Sequence, residues 1–331
     1  MKYCLVIGSN SFSGANFVNF ILNKKIKVIG VSRSKELNKV FLPYKYSSHI
    51  KNFKFYKINI NKHKELKNLI KIIKTNNIKH IINFSSQGMV GESWITPLDW
   101  YQTNSFSQIK LFEYLKNLNL KRYMHVTTPE VYGNNRDILY ENTPFNPSTP
   151  YAISRSTSDF HLKALYKNYK FPVIFSRAAN VYGPGQQLYR IIPKLIMSCK
   201  KNIKIDIHGG GHSKRSFVYI DDVNDGYYKI FTKGKLGNVY HLSSKKFISI
   251  KNLSKKVIKL FNKKEKDILK LEKKDRKGKD YAYFLNSNKI RRELKWKDKI
   301  DLDLGLLKTI QWINKNYPVL KKIKLNYKHK K

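Results

Sequence analysis

Acidic residues are scarce in this chain. Among 331 residues, 22 aspartates and glutamates stand against 66 lysines and arginines, a formal net charge of +44. Cysteine is scarcer still: Cys4 and Cys199 are the only two, too few for a disulfide framework or a cysteine-based metal cluster, so no metal site is expected. No apolar run approaches the roughly 18 residues of a membrane helix. The opening MKYCLVIGSN has too short an apolar part for a signal peptide, so no membrane association and a cytoplasmic location are the expectations. The excess of positive charge suggests nucleic acid. The lysines are nevertheless spread along the whole chain, in company with Asn, Ile and Tyr, and no nucleic-acid-binding motif accompanies them. Charge alone supplies only salt-sensitive, non-specific affinity, and nucleic acid is an unexpected partner.

What is present is a soluble globular composition, 41% hydrophobic and 13% aromatic, in a chain long enough for one large α/β domain or two smaller ones. The first half alternates short apolar runs (YCLVIG, KVIGVS, FKFYKINI, HIINFSS, RYMHVTT) with helical stretches near 15–23, 62–76, 99–118 and 151–168. This rhythm predicts a doubly wound, Rossmann-type parallel sheet with helices on both faces. After residue 185 the rhythm breaks, which predicts a smaller C-terminal α/β region. The division is 1–185 for the sheet domain sharing some later segments, 186–320 for the smaller region, and 321–331, KKIKLNYKHKK, for a frayed basic tail.

The first strand runs into GSNSFSGANF, which opens a helix. Gly8 and Gly14 stand where a dinucleotide loop needs a tight turn and close helix–strand packing, with Ser11 and Phe12 between them. The Ser11 hydroxyl is expected to reach a phosphate. The second strand ends in Ser32 and Arg33 rather than an acid. A guanidinium suits a 2′-phosphate, so the cofactor is read as NAD or NADP, with a lean to NADP; one more exposed arginine on a basic protein is the plain alternative. Asn59 and Ile60 follow the third strand as candidates to border the adenine. Phe84, Ser85 and Ser86 follow the fourth and suit the wall of the cofactor cleft.

Tyr151 and Arg155 lie four residues apart, on one face of a helix that starts after Pro150 with Thr149 as its cap. A cation one turn away is expected to lower the tyrosine pKa and make it a usable base. Glu130, in TTPEVYG, stands at the end of the fifth strand, where it is either a catalytic carboxylate or a partner for one of many lysines.

At these motifs the chain resembles the extended short-chain dehydrogenases/reductases of the NAD-dependent epimerase/dehydratase family. YAISR is similar to their Tyr-x-x-x-Lys motif, and HVTTPEVYG, SRAANVYGPGQ, RSFVYIDDV and DRKGKDYAYFLNSNKIRRELKW follow in the expected order, closest in pattern to dTDP-glucose 4,6-dehydratases. The resemblance makes 1–185 an NAD(P)-binding Rossmann domain and 186–320 mainly a substrate-binding α/β region, and it implies a bound nicotinamide cofactor and a nucleotide-diphosphate sugar oxidised at C4. Tyr151 would take the C4 hydroxyl proton, Thr128 would hold that hydroxyl, and Glu130 would remove the C5 proton before water leaves from C6. It also implies Gln87, Asn180, Arg215 and Arg276 as substrate contacts, Arg190 to Ile196 over the nucleotide base, and a homodimer through helices 99–118 and 151–168. The sequence departs from the pattern in three places. Pro129 stands where the family carries an acidic Asp, Arg155 replaces lysine, and SSQGMVGESW lacks the usual acid and histidine of the sugar-facing loop. A 4-epimerase or a glucuronate decarboxylase of the same family is the alternative, and a non-catalytic binding protein is a third.

Overall fold

The computed structural model describes residues 3–275, 278 and 281–329. Its centre is a seven-stranded, all-parallel sheet built from β1 (Tyr3–Ile7), β2 (Lys27–Ser32), β3 (Phe53–Lys57), β4 (His80–Asn83), β5 (Arg122–Thr127), β7 (Val173–Ala178) and β12 (Val239–Leu242). Its order is β12-β7-β5-β4-β1-β2-β3. β6 (Ile138–Leu139), β8 (Asn180–Tyr182), β9 (Ile205–His208), β10 (Lys214–Arg215) and β11 (Phe217–Tyr219) form small two-stranded pairings outside it. Apart from the edge strand β3, the strands of this sheet are buried almost throughout, because helices cover both faces and a near-continuous Val, Ile and Leu run is stable only there. The expected doubly wound sheet is what the chain folds into.

The first half supplies α1 (Phe12–Leu22), α2 (His63–Thr75), α3 (Pro97–Tyr101), α4 (Ser107–Leu115) and α5 (Pro150–Tyr169). The helix expected over 99–118 is interrupted: a π-helical turn, Gln102–Phe106, separates α3 from α4. α5 starts as read, with Pro150 in its first turn and the Thr149 side chain accepting from the Ala152 N–H. Later come α6 (Ile191–Lys201), α7 (Ile220–Lys233), α8 (Ile250–Lys259), α9 (Glu265–Ile268), α10 (Asn288–Leu294) and α11 (Leu302–Leu320). β12 returns from the second half to the sheet, while α6, α8 and α11 build a separate apolar cluster around Leu195, Leu253 and Leu306. The two halves meet above the C-terminal ends of the strands, beside the point between β1 and β4 where strand order reverses. Open parallel sheets place their ligands in that crevice. No helix among the described residues is long and apolar enough to cross a membrane.

Candidate active site

A cavity of about 990 Å³ runs across these strand ends, at the upper end of the range for ligand pockets. One half of it is set by backbone. Gly8 leaves β1 at φ +85°, and a Cβ there would lie 2.7 Å from the Ser85 N, so the loop passes hard against the end of β4. A Cβ on Gly14 would lie 2.3 Å from the Gly8 carbonyl oxygen. Only glycine fits either place, which is what close approach of a pyrophosphate to the head of α1 requires. The Ser11 hydroxyl accepts from the Gly14 N–H at 3.0 Å and so caps α1, leaving its proton for a ligand. Ser32 accepts from the Asn10 N–H at 2.9 Å and ties the loop to β2.

Arg33, half-buried beside Ser32, has its pKa lowered by burial against the opposing pull of Tyr327 and Asp99. Phe12, Asn59, Ile60, Phe84, Ser85 and Ser86 all line the same half. Asn59 takes the Glu65 carboxylate on its N–H at 2.6 Å, and Phe84 packs on Phe17 and Tyr227. The loop, the two strand ends and their hydroxyls fit a nicotinamide dinucleotide.

The other half is set by side chains. Thr128 follows β5 directly, and Pro129 opens a 3-10 turn, Pro129–Tyr132, that carries Glu130. The Thr128 hydroxyl donates to the Glu130 carboxylate, and Tyr151 lines the same wall of the cavity beside both. The Tyr151 pKa is raised, not lowered as the sequence suggested. Burial is the largest cause and the Glu130 carboxylate the next, and together they outweigh Arg155, Thr128 and Arg190.

Arg155 lines the cavity but is itself buried, with a guanidinium N–H donating to the Val126 carbonyl. Below it the Asp159 carboxylate receives the Thr127 hydroxyl at 3.0 Å and Arg177 at 2.8 Å. Burial, with Arg155 as the next cause, pushes the neighbouring His125 down to about 3, so this floor holds a neutral imidazole.

Asn180 begins β8 and faces the cavity. Gln87 does too, and its backbone is clasped on both sides by the Asn104 side chain at 2.7 and 3.0 Å. Arg215 does not line the cavity: its guanidinium donates to the Lys214 and Tyr281 carbonyls and lies over the Tyr283 ring. Arg276 falls outside the described residues. Two contributors were not legible in the sequence. Asn104 sits in the π-helical turn, whose extra residue leaves no mark in an apolar pattern. The tail is the second: residues 321–329 do not fray but cross the cleft, and Leu325, Asn326, Tyr327 and Lys328 line it. The alternation Ile323, Leu325, Tyr327, His329, with each of the four partly buried, was the available signal.

The family model described as GDP-mannose 4,6 dehydratase matches residues 5–309. The mouse protein named dTDP-D-glucose 4,6-dehydratase is 30% identical over 275 residues, spanning 82% of this chain and 76% of that protein. Among solved structures, dTDP-glucose 4,6-dehydratase from Streptomyces venezuelae, with NAD bound, is 25% identical with a TM-score of 0.88, covering 96% of this chain and 98% of its own. The Bacillus anthracis dTDP-glucose 4,6-dehydratase in complex with NAD is 26% identical with a TM-score of 0.83, covering 98% and 100%. Together with the glycine loop at β1 and the Thr128–Glu130–Tyr151 cluster at β5, these likenesses establish that the chain belongs to the NAD-dependent epimerase/dehydratase family of extended short-chain dehydrogenases/reductases.

Proposed function

We propose that this protein is a nucleotide-sugar 4,6-dehydratase, a lyase that converts an NDP-hexose into its 4-keto-6-deoxy form. The observation that carries this reading is the grouping of Tyr151, Thr128 and Glu130 on one wall of the cavity, with the Thr128 hydroxyl bonded to the Glu130 carboxylate. The Gly8–Phe12 loop, Ser32, Arg33 and Ser85 would hold the nicotinamide dinucleotide, which supplies the hydride acceptor for C4 and the hydride returned at C6. Tyr151 takes the C4 hydroxyl proton while Thr128 fixes that oxygen. The 4-keto group acidifies C5, and Glu130 removes its proton. Pro129 has no proton to give, so Glu130 passes the same proton, directly or through a water, to the C6 oxygen as the C6–O bond breaks. A carboxylate is the group suited to this double duty. Asn180 would contact the diphosphate, and Gln87 the substrate side of the cleft. The fit of Ser32 and Arg33 to a 2′-phosphate keeps NADP beside NAD as cofactor.

The test is incubation of the purified protein with a panel of NDP-hexoses in deuterated water. The expected product is a 4-keto-6-deoxy sugar with deuterium at C5, read by mass spectrometry and NMR. Pro129 favours one second reading, a 4-epimerase, which needs no acid at C6; an unchanged mass with inverted C4 would establish it. Loss of carbon dioxide from an NDP-glucuronate would establish the decarboxylase instead.

The protein is further read as a homodimer. Ile95 (77%), Leu98 (79%), Phe106 (61%) and Phe160 (55%) are exposed around α3, the π-turn and α5, an apolar face that a second copy would cover. A cytoplasmic location and a role in supplying deoxysugars for polysaccharide assembly complete the reading.

A further inference from the structure

After α11 the chain turns at 321–323 and runs, bending again at Leu325 and Asn326, along the seam between the two halves. Lys201 Nζ donates to the Lys321 carbonyl at 2.7 Å, and Lys194 Nζ lies 3.4 Å from Asn326 Oδ1. Tyr327 then packs its ring edge-on against Tyr189, with centroids 5.3 Å apart, and its hydroxyl accepts from Gln87 Nε2 at 2.8 Å. His329 is the anchor. Its ring stacks on the buried Trp100, with centroids 4.9 Å apart and planes at 12°. Nε2 lies 2.7 Å from Asp99 Oδ2, and Nδ1 lies 3.2 Å from Gln87 Nε2. One tautomer satisfies both contacts: Nε2–H donates to Asp99, and the Nδ1 lone pair takes the Gln87 amide. The segment begins on the substrate half and ends on α3, so it bridges the cleft.

Tyr327 shares the cavity wall with Arg33 and Arg190, the first from the end of β2 and the second from the head of α6. With the segment docked, a cavity of about 990 Å³ still runs beneath it. The tail therefore walls the site rather than filling it.

We propose that residues 325–329 are a latch forming the outer wall of the cleft where its dinucleotide half, at Arg33, meets its substrate side, at Gln87, with His329 as its anchor and Tyr327 as its ligand-facing residue. The latch must lift for a nicotinamide dinucleotide to enter and holds it once inside. This rests on the reading that the cleft binds such a dinucleotide. Tyr327 is thus a residence-determining residue contributed by a segment outside the α/β core.

The experiment compares the full chain with Tyr327→Ala, His329→Ala and a chain ending at Lys324. NAD+ and NADP+ serve as probes, and dissociation is followed by stopped-flow. Thermal melts of all four proteins check the fold, and tryptophan emission in the absence of ligand reports whether His329 sits on Trp100. The latch predicts dissociation at least tenfold faster in all three variants, with an emission change on truncation and on His329→Ala. Unchanged rates, slower release, or an emission spectrum indifferent to truncation would overturn the latch while leaving the dinucleotide reading standing. If the full chain and the variants all fail to bind either dinucleotide, the cofactor reading falls and the latch with it.

Discussion

The ends of β1 and β5 meet the same cavity by different means. After β1 the contact surface is backbone: Gly8 is at positive φ and Gly14 is pressed against the Gly8 carbonyl, with no side chain on either glycine. After β5 it is side chain: Thr128, Glu130 and Tyr151 line one wall over a buried floor of Arg155, Asp159 and Arg177. A backbone site tolerates almost no substitution at its glycines, because an added Cβ meets main chain. A side-chain site can be edited one group at a time, and Pro129 is such an edit.

The largest effect should come from the side-chain end. Glu130→Gln should lower product formation by about 10² to 10⁴-fold, the usual contribution of a positioned acid–base group, and remove deuterium incorporation at C5. The bound cofactor should still be reduced, so the absorbance of the reduced nicotinamide separates loss of elimination from loss of oxidation. At the backbone end, Gly8→Ala should cost about 1–3 kcal/mol of stability through strained φ and overpacking against Ser85, seen in urea unfolding, together with loss of dinucleotide binding. Retained binding would show that the two ends are less different than their geometry says.

Pro129→Asp sharpens the comparison in the other direction. It puts an acid beside Glu130 and should speed elimination on the order of tenfold, read as single-turnover product formation. The smallest effect is a shift in pH dependence. Burial and then Glu130 raise the Tyr151 pKa, so oxidation at C4 should climb with pH along an alkaline limb as the phenolate forms. In Glu130→Gln the nearby negative charge is gone, the phenolate forms more easily, and that limb should move to lower pH. A limb that stays fixed or moves upward would mean that Glu130 does not act on Tyr151.

The parts of this molecule that were legible in the sequence are those governed by local rules. Short apolar runs with β-branched residues became the central strands, and Thr149–Pro150 marked the start of α5. Glycines 8 and 14 announced the loop because no other residue fits. The direction of the Tyr151 pKa was misread. Spacing along a helix shows Arg155 one turn away, but not that burial and a carboxylate from another strand outweigh it. Arg155 itself turned out to hang from the Val126 carbonyl, a contact set by how α5 lies on β5. Arg215 matched a motif, yet its guanidinium is occupied by the Lys214 and Tyr281 carbonyls. The tail was read by its lysines, when the residues that dock it are the ones alternating between them.

Pro129 opens its 3-10 turn in the first position, where its ring holds the backbone dihedral that the turn already requires. A proline in a compatible place stabilises a protein by about 0.4–1 kcal/mol, chiefly by narrowing the denatured ensemble. Position 129 therefore serves either conformational entropy or acid chemistry, and no single residue type supplies both. An aspartate there would exchange restriction of the unfolded chain for a second proton donor. Replacement at this one site moves folding stability and catalytic route in opposite directions, so selection for a more robust fold and selection for faster elimination would favour different residues.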